Sequence, residues 1–99
     1  MSVRLVGLIL AAILLASVSR AATFYVTVAG IGGEPEYDQR FTSWAKDIDK
    51  ILRATPEAQV ETLYGAAATK SKIDATFKEI ASKAHGDDGI VVMLIGHGT

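Results

Sequence analysis

The sequence predicts an α/β domain: a three-layer α/β/α sandwich around a parallel sheet of strand order 2-1-3, with the first half of the domain present. Three observations carry this. Thr23–Ala29 and Ile90–Ile95 are short stretches rich in β-branched or aromatic residues, bounded by glycine. Two segments between them place apolar residues at helical spacing. Each helical segment lies between two strand-like ones, and such connections are long enough for crossovers, which favours parallel pairing.

The chain has 99 residues, enough for one small domain, and part of it reads as a leader. Arg4 supplies a short positive start, Leu5 to Val18 is an almost unbroken apolar stretch of 14 residues, and Ser19-Arg20-Ala21 offers small residues for cleavage. A spanning helix needs about 20 apolar residues, so a cleaved signal peptide over 1–21 is favoured over an uncleaved membrane anchor. The protein is then expected to be exported, secreted or periplasmic, with no membrane association after cleavage. The remaining 78 residues, 22–99, carry eight basic and eleven acidic side chains, a net charge of −3. That balance argues against a nucleic-acid partner, which would need clustered Lys and Arg. Cysteine is absent, so these residues hold neither a disulfide framework nor a cysteine nucleophile.

Taken in order, Thr23–Ala29 is the first strand. Gly30-Ile31-Gly32-Gly33 followed by Glu34-Pro35 is a loop. A dinucleotide fingerprint fails there, because its third glycine would fall at Pro35 and Glu34 would repel a pyrophosphate. From Tyr37 to Leu52, Phe41, Trp44, Ala45, Ile48, Ile51 and Leu52 form one apolar helix face. Trp44 is expected in the core, packed on the sheet. Thr55-Pro56 ends the helix, since proline disfavours helical geometry in the residue before it. Gln59–Tyr64 alternates loosely and reads as an edge strand.

Thr69 suits a helix N-cap. The helix it opens presents Ile73, Phe77, Ile80, Ala81 and Ala84, with Lys83 and His85 near its negative end and Gly86 as terminator. Asp87-Asp88-Gly89 is a turn. Ile90–Ile95 then gives six apolar residues with no polar alternation, the pattern of a strand buried on both faces. For this third strand to be the most buried it should lie beside the first, which yields the order 2-1-3. Its far edge is then uncovered, an aggregation hazard that marks the chain as the front of a larger sheet.

That strand stops at Gly96-His97-Gly98. In an open parallel sheet, ligands and chemistry gather beyond the carboxyl ends of the strands. A first strand, a helix, a short strand, Ala68-Thr69-Lys70 opening a helix, Asp87-Asp88, a buried strand and Gly96-His97-Gly98 together resemble the caspase-like fold of legumain-type peptidases, metacaspases and gingipains. The resemblance covers about Thr23 to Thr99. It implies that His97 is the catalytic histidine and that the Gly98 backbone N–H forms part of the oxyanion site. It also implies a cysteine nucleophile after the next strand, which these residues lack, and a peptide or protein substrate. Asp88 matches an acidic residue that often precedes this strand, here taken as structural. The substrate-pocket arginine of caspases has no clear counterpart, so Arg40 is not carried over.

Peptidase chemistry of this kind needs a base that makes thiolate and later protonates the leaving amine, and imidazole does both near working pH. The plain alternative for His97 is a turn residue between two glycines. His85 is read as a solvated residue at a helix end, and Asp87–Asp88 has too few oxygen ligands for a cation site. No cofactor and no metal is expected. Three functions compete: a caspase-like cysteine peptidase, a caspase-like scaffold without a nucleophile, and an α/β-hydrolase whose His-Gly opens an oxyanion loop. Two helical crossovers at the start count against the last, because that fold usually starts with an antiparallel hairpin.

Overall fold

A computed structural model describes residues 21–97. The signal-peptide reading and Gly98 therefore fall outside the described residues. The elements are β1 (Thr23–Ala29), α1 (Pro35–Arg53), β2 (Ala58–Tyr64), a 3-10 turn (Gly65–Ala67), α2 (Lys70–Lys83) and β3 (Gly89–Ile95). The three strands form one parallel sheet in the order β2-β1-β3. The fold is α/β with an open sheet, and the expected strand order and direction are both present.

Register follows from how the chain enters the sheet. Thr23 pairs with Ala58 on one side and with Gly89 on the other. Two backbone bonds frame this end, Thr23 N–H to Glu57 O at 3.0 Å and Gly89 N–H to Ala22 O at 3.0 Å. Asp88 locks the same corner, accepting from Ala22 N–H at 2.9 Å and His85 N–H at 2.8 Å. Those two amides hold the Asp88 carboxyl below its ordinary range, the His85 amide being the larger cause. The structural reading of Asp88 is thereby given its physical form.

The core sits on β1. Phe24, Val26 and Val28 pack with Ile80 of α2, with Ile73, Phe77 and Leu63 against them. Ala29 packs with Phe41 and Ala45 of α1. Side chains two apart on a strand share a face, so β1 is buried on both faces and is the sheet's inner strand. Each fully buried side chain of this size contributes about 1.5–3 kcal/mol relative to exposure.

Two expectations need correction. Trp44 is 48% exposed and stacks obliquely on Phe41 rather than entering the core. The buried residues of α1 are Phe41 and Ala45, so Trp44 and Ile51 (68% exposed) lie at the margins of the helix face. The third strand is not the most buried. Ile90, Val91, Val92 and Leu94 are between 41% and 79% exposed, because the two helix clusters gather on β1 and little covers β3. At the C-terminal end of α2, Ala81 and Ala84 are exposed as well. The helix stops at Lys83, with Ala84 already extended, two residues before the glycine read as its terminator.

The remaining local readings correspond closely. The Thr69 hydroxyl accepts from Lys72 N–H at 3.2 Å, capping α2. The α1 helix starts at Pro35, where a missing N–H costs nothing, and ends before Thr55-Pro56 with Thr55 Oγ1 donating to Ile51 O at 3.1 Å. Its last turn also reaches the edge strand. Asp49 accepts from Thr62 Oγ1 at 2.7 Å and from Arg53 Nε at 2.9 Å, while Arg53 contacts Val60 O at 3.4 Å. The β2 edge thus carries a cation on one of its carbonyls and Glu61 in its sequence. The β3 strand has no charged residue at all.

Candidate functional site

The site is assembled where β1 and β3 end together. Gly30 N–H donates to Ile95 O at 2.8 Å, extending the ladder by one residue past β1. Gly96-His97 consequently emerges beside the loop Gly30–Gly33, at the carboxyl ends of the strands. Through that loop the chain turns into the first turn of α1.

His97 is held from three directions. Its Nε2 lies 2.9 Å from Gly32 O. A carbonyl oxygen only accepts, so Nε2 carries the proton and Nδ1 is left as the acceptor of the neutral ring. The imidazole meets Tyr37 at a centroid distance of 4.6 Å and 73°, and Phe41 at 5.1 Å and 69°, both edge-on. The residue as a whole stays exposed, while its ring packs on the two aromatics.

The loop that presents Gly32 O is itself clamped. The Asp38 carboxylate accepts from Gly32 N–H. Gly32 is buried, and a Cβ there would come within 2.4 Å of Tyr37 Cβ and 2.8 Å of Asp38 N. Only glycine allows the loop to lie this close to the helix. Gly33, with φ +85°, then makes the turn that β-carbon-bearing residues resist. The Gly32 amide that a bound phosphate would need is thereby occupied by a carboxylate, which agrees with the failed fingerprint.

Charges around the ring are sparse. Arg40 sits 5.7 Å above the Tyr37 ring and pairs with Glu36 at 2.8 Å, both side chains well exposed. A cavity of about 320 Å³ adjoins the clamped loop, lined by Gly30, Ile31, Asp38, Thr42, Gly65 and Ala66. It opens at the carboxyl ends of β1 and β2, the side of the sheet's rim where His97 also lies. His85 does not join this site: it stands at the other end of β3, its backbone bound to Asp88. Among the described residues no group of three His, Cys, Asp or Glu side chains converges.

Of the two residues picked out from sequence, His97 is thus placed at the end of β3, and Gly98 lies outside the described residues. The sequence marks Gly32 as part of a loop and Phe41 as a helix-face residue, and gives neither them nor Tyr37 and Asp38 a place at the site. The signal for them was weak: a glycine cluster read as a plain turn, and an acidic residue in the first turn of a helix, a common feature near a positive helix end. Comparison of the chain with protein-family models, with curated proteins and with solved structures finds no match.

Proposed function

We propose that this chain is the N-terminal part of an exported caspase-like cysteine peptidase, with His97 as its acid–base residue. The single observation that carries the reading is the Nε2–Gly32 O hydrogen bond at the carboxyl end of β3. It assigns the proton to one nitrogen and frees Nδ1 to accept a proton from a nucleophile, the first act of such a peptidase. A turn histidine with no role has no need of a carbonyl and two rings around it. Gly98 N–H would then contribute to the oxyanion site, and a peptide amide is the substrate.

The architecture proposed with it is the three-layer α/β/α sandwich. Two right-handed crossovers, one from β1 out to β2 and the other from β2 back past β1 to β3, would carry their helices to opposite faces. The two core clusters on alternate residues of β1 support this. The apolar, uncharged β3 supports a further strand beside it, since such a strand seldom ends a sheet. Arg4 followed by the apolar stretch Leu5–Val18 is the sequence feature that supports export.

The test is the composition of a gene product that extends past Thr99. A cysteine between small residues at the end of the next strand is the expected result. A Gly-x-Ser-x-Gly elbow would transfer the chain to the α/β-hydrolases, and a segment with no nucleophile would leave a scaffold. The 99 residues by themselves are expected to hydrolyse no peptide amide, because the attacking thiolate is missing.

A further inference from the structure

We propose that Asp38, Tyr37 and Phe41 are positioning residues for His97: the carboxylate sets the Gly32 loop, the loop carbonyl sets the tautomer, and the two rings set the plane of the imidazole. This rests on His97 being the working imidazole of the site. It adds to that reading a supporting shell drawn entirely from the first two turns of α1.

The connection runs through atoms already described. Asp38 binds Gly32 N–H, Gly32 O accepts from His97 Nε2–H, and the two groups flank one α-carbon. The carboxylate on the amide side, together with the close packing of Gly32 on Tyr37 and Asp38, holds in place the residue whose carbonyl meets His97. Tyr37 and Asp38 are adjacent, and Phe41 follows Tyr37 by four residues, so Tyr37 and Phe41 share one helix face. Their rings lie 6.1 Å apart, and each meets His97 at a steep angle. A histidine between two glycines has several rotamers and two tautomers open to it. Hydrogen-bonding one nitrogen and packing the ring against two others removes that freedom before substrate arrives, which is the general requirement of a preorganised site.

The requirement at position 38 is for an acceptor oxygen, which the carboxylate charge strengthens. Asp38→Asn keeps that oxygen and should keep the His97 geometry with a weaker bond, whereas Asp38→Ala should not. The requirement at position 37 is for a ring, so Tyr37→Phe should be silent and Tyr37→Leu should not.

The experiment is ¹⁵N and ¹H NMR of the labelled full chain, in solution or as a sedimented solid, at a pH well above the usual imidazole range. His85 serves as the internal control, being the chain's other histidine and remote from the site. In the native chain the Nε2–H tautomer of His97 is expected to lead by about tenfold, the effect of one ordinary hydrogen bond. In Asp38→Ala the ratio should fall to that of His85, with His85 itself unchanged, and Asp38→Asn should restore it. In Tyr37→Leu the ring-current shift of the His97 protons should collapse. An unchanged His97 ratio in a folded Asp38→Ala chain overturns the proposal. Where Asp38→Ala does not fold, unchanged His97 proton shifts in Tyr37→Leu overturn it instead. No step of this readout involves hydrolysis. A fixed imidazole here, with no hydrolysis by a gene product extending past Thr99, would refute the peptidase and leave the positioning intact.

Discussion

Replacing Gly32 by alanine tests the architecture of the site with a single methyl group. The added Cβ would sit 2.4 Å from Tyr37 Cβ and 2.8 Å from both Tyr37 C and Asp38 N. None of these atoms is the end of a flexible side chain, so relief requires the loop and the first turn of α1 to separate. Overpacking of this kind costs about 1–3 kcal/mol. Separation also breaks the amide bond to the Asp38 carboxylate, and a hydrogen bond to a charged group is worth about 1.5–3 kcal/mol. The two are alternatives in part, since moving apart relieves the clash, and a net loss of about 2–4 kcal/mol is expected. Gly33→Ala is the natural comparison. No atom lies within 4 Å of its added carbon, so its cost is confined to the positive φ, about 1–2 kcal/mol. Urea unfolding followed by the fluorescence of Trp44, the chain's one tryptophan, measures both. The His97 ring shifts should move towards those of His85 in Gly32→Ala and stay native in Gly33→Ala. A Gly32→Ala protein within 0.5 kcal/mol (roughly the spread of neutral surface changes) and with native His97 shifts would refute the claim that this loop must lie against the helix.

Three further outcomes follow from the structure. Thr27 is fully buried and its hydroxyl has no hydrogen-bond partner among the described residues; Thr27→Val should stabilise the domain by about 1 kcal/mol in the same urea assay, the size of a buried group's unpaid desolvation. Thr69→Ala removes the N-cap of α2 and should cost about 1 kcal/mol, with Thr69→Asn close to native. Asp88 has its carboxyl held below the ordinary range by the His85 and Ala22 amides, so the stability it adds is present above the ordinary carboxylate range and is lost as pH falls through its depressed value. Asp88→Asn should flatten that acid limb of the stability–pH curve, and an unchanged acid limb would count against the two amide bonds.

The parts of the fold that were legible in the sequence are those set by local rules. Thr69 followed by an amphipathic run and Thr55-Pro56 act through neighbours in the chain and appear as read, while the turn expected at Asp87-Asp88-Gly89 falls at Gly86-Asp87, with Gly89 already the first residue of β3. The strand order was legible because chain order and crossover length leave few topologies. Trp44 was misjudged because periodicity locates a stripe about 100° wide but not which residue lies at its margin. Phe41 and Ala45 took the centre of the contact with β1, leaving Trp44 on the rim. The burial of β3 was misjudged for a different reason. Six apolar residues encode what the strand is built to touch, and helices clustered on β1 leave that surface open. At the site, His97 was legible from the abrupt stop of a strand at Gly-His-Gly. Its support was not, because Gly32 and Asp38 act through a backbone amide and a carbonyl whose meeting with His97 depends on the register of β1 and β3 across 65 residues.

The most direct measurement is peptide-amide hydrolysis by a gene product extending past Thr99, compared among the native form, His97→Ala and His85→Ala. The account predicts that His97→Ala lowers kcat/KM by about 10²–10⁴, the contribution of a positioned acid–base group, while His85→Ala stays at the native rate. Native-level hydrolysis in the His97→Ala protein, or equal losses in both variants, would contradict it.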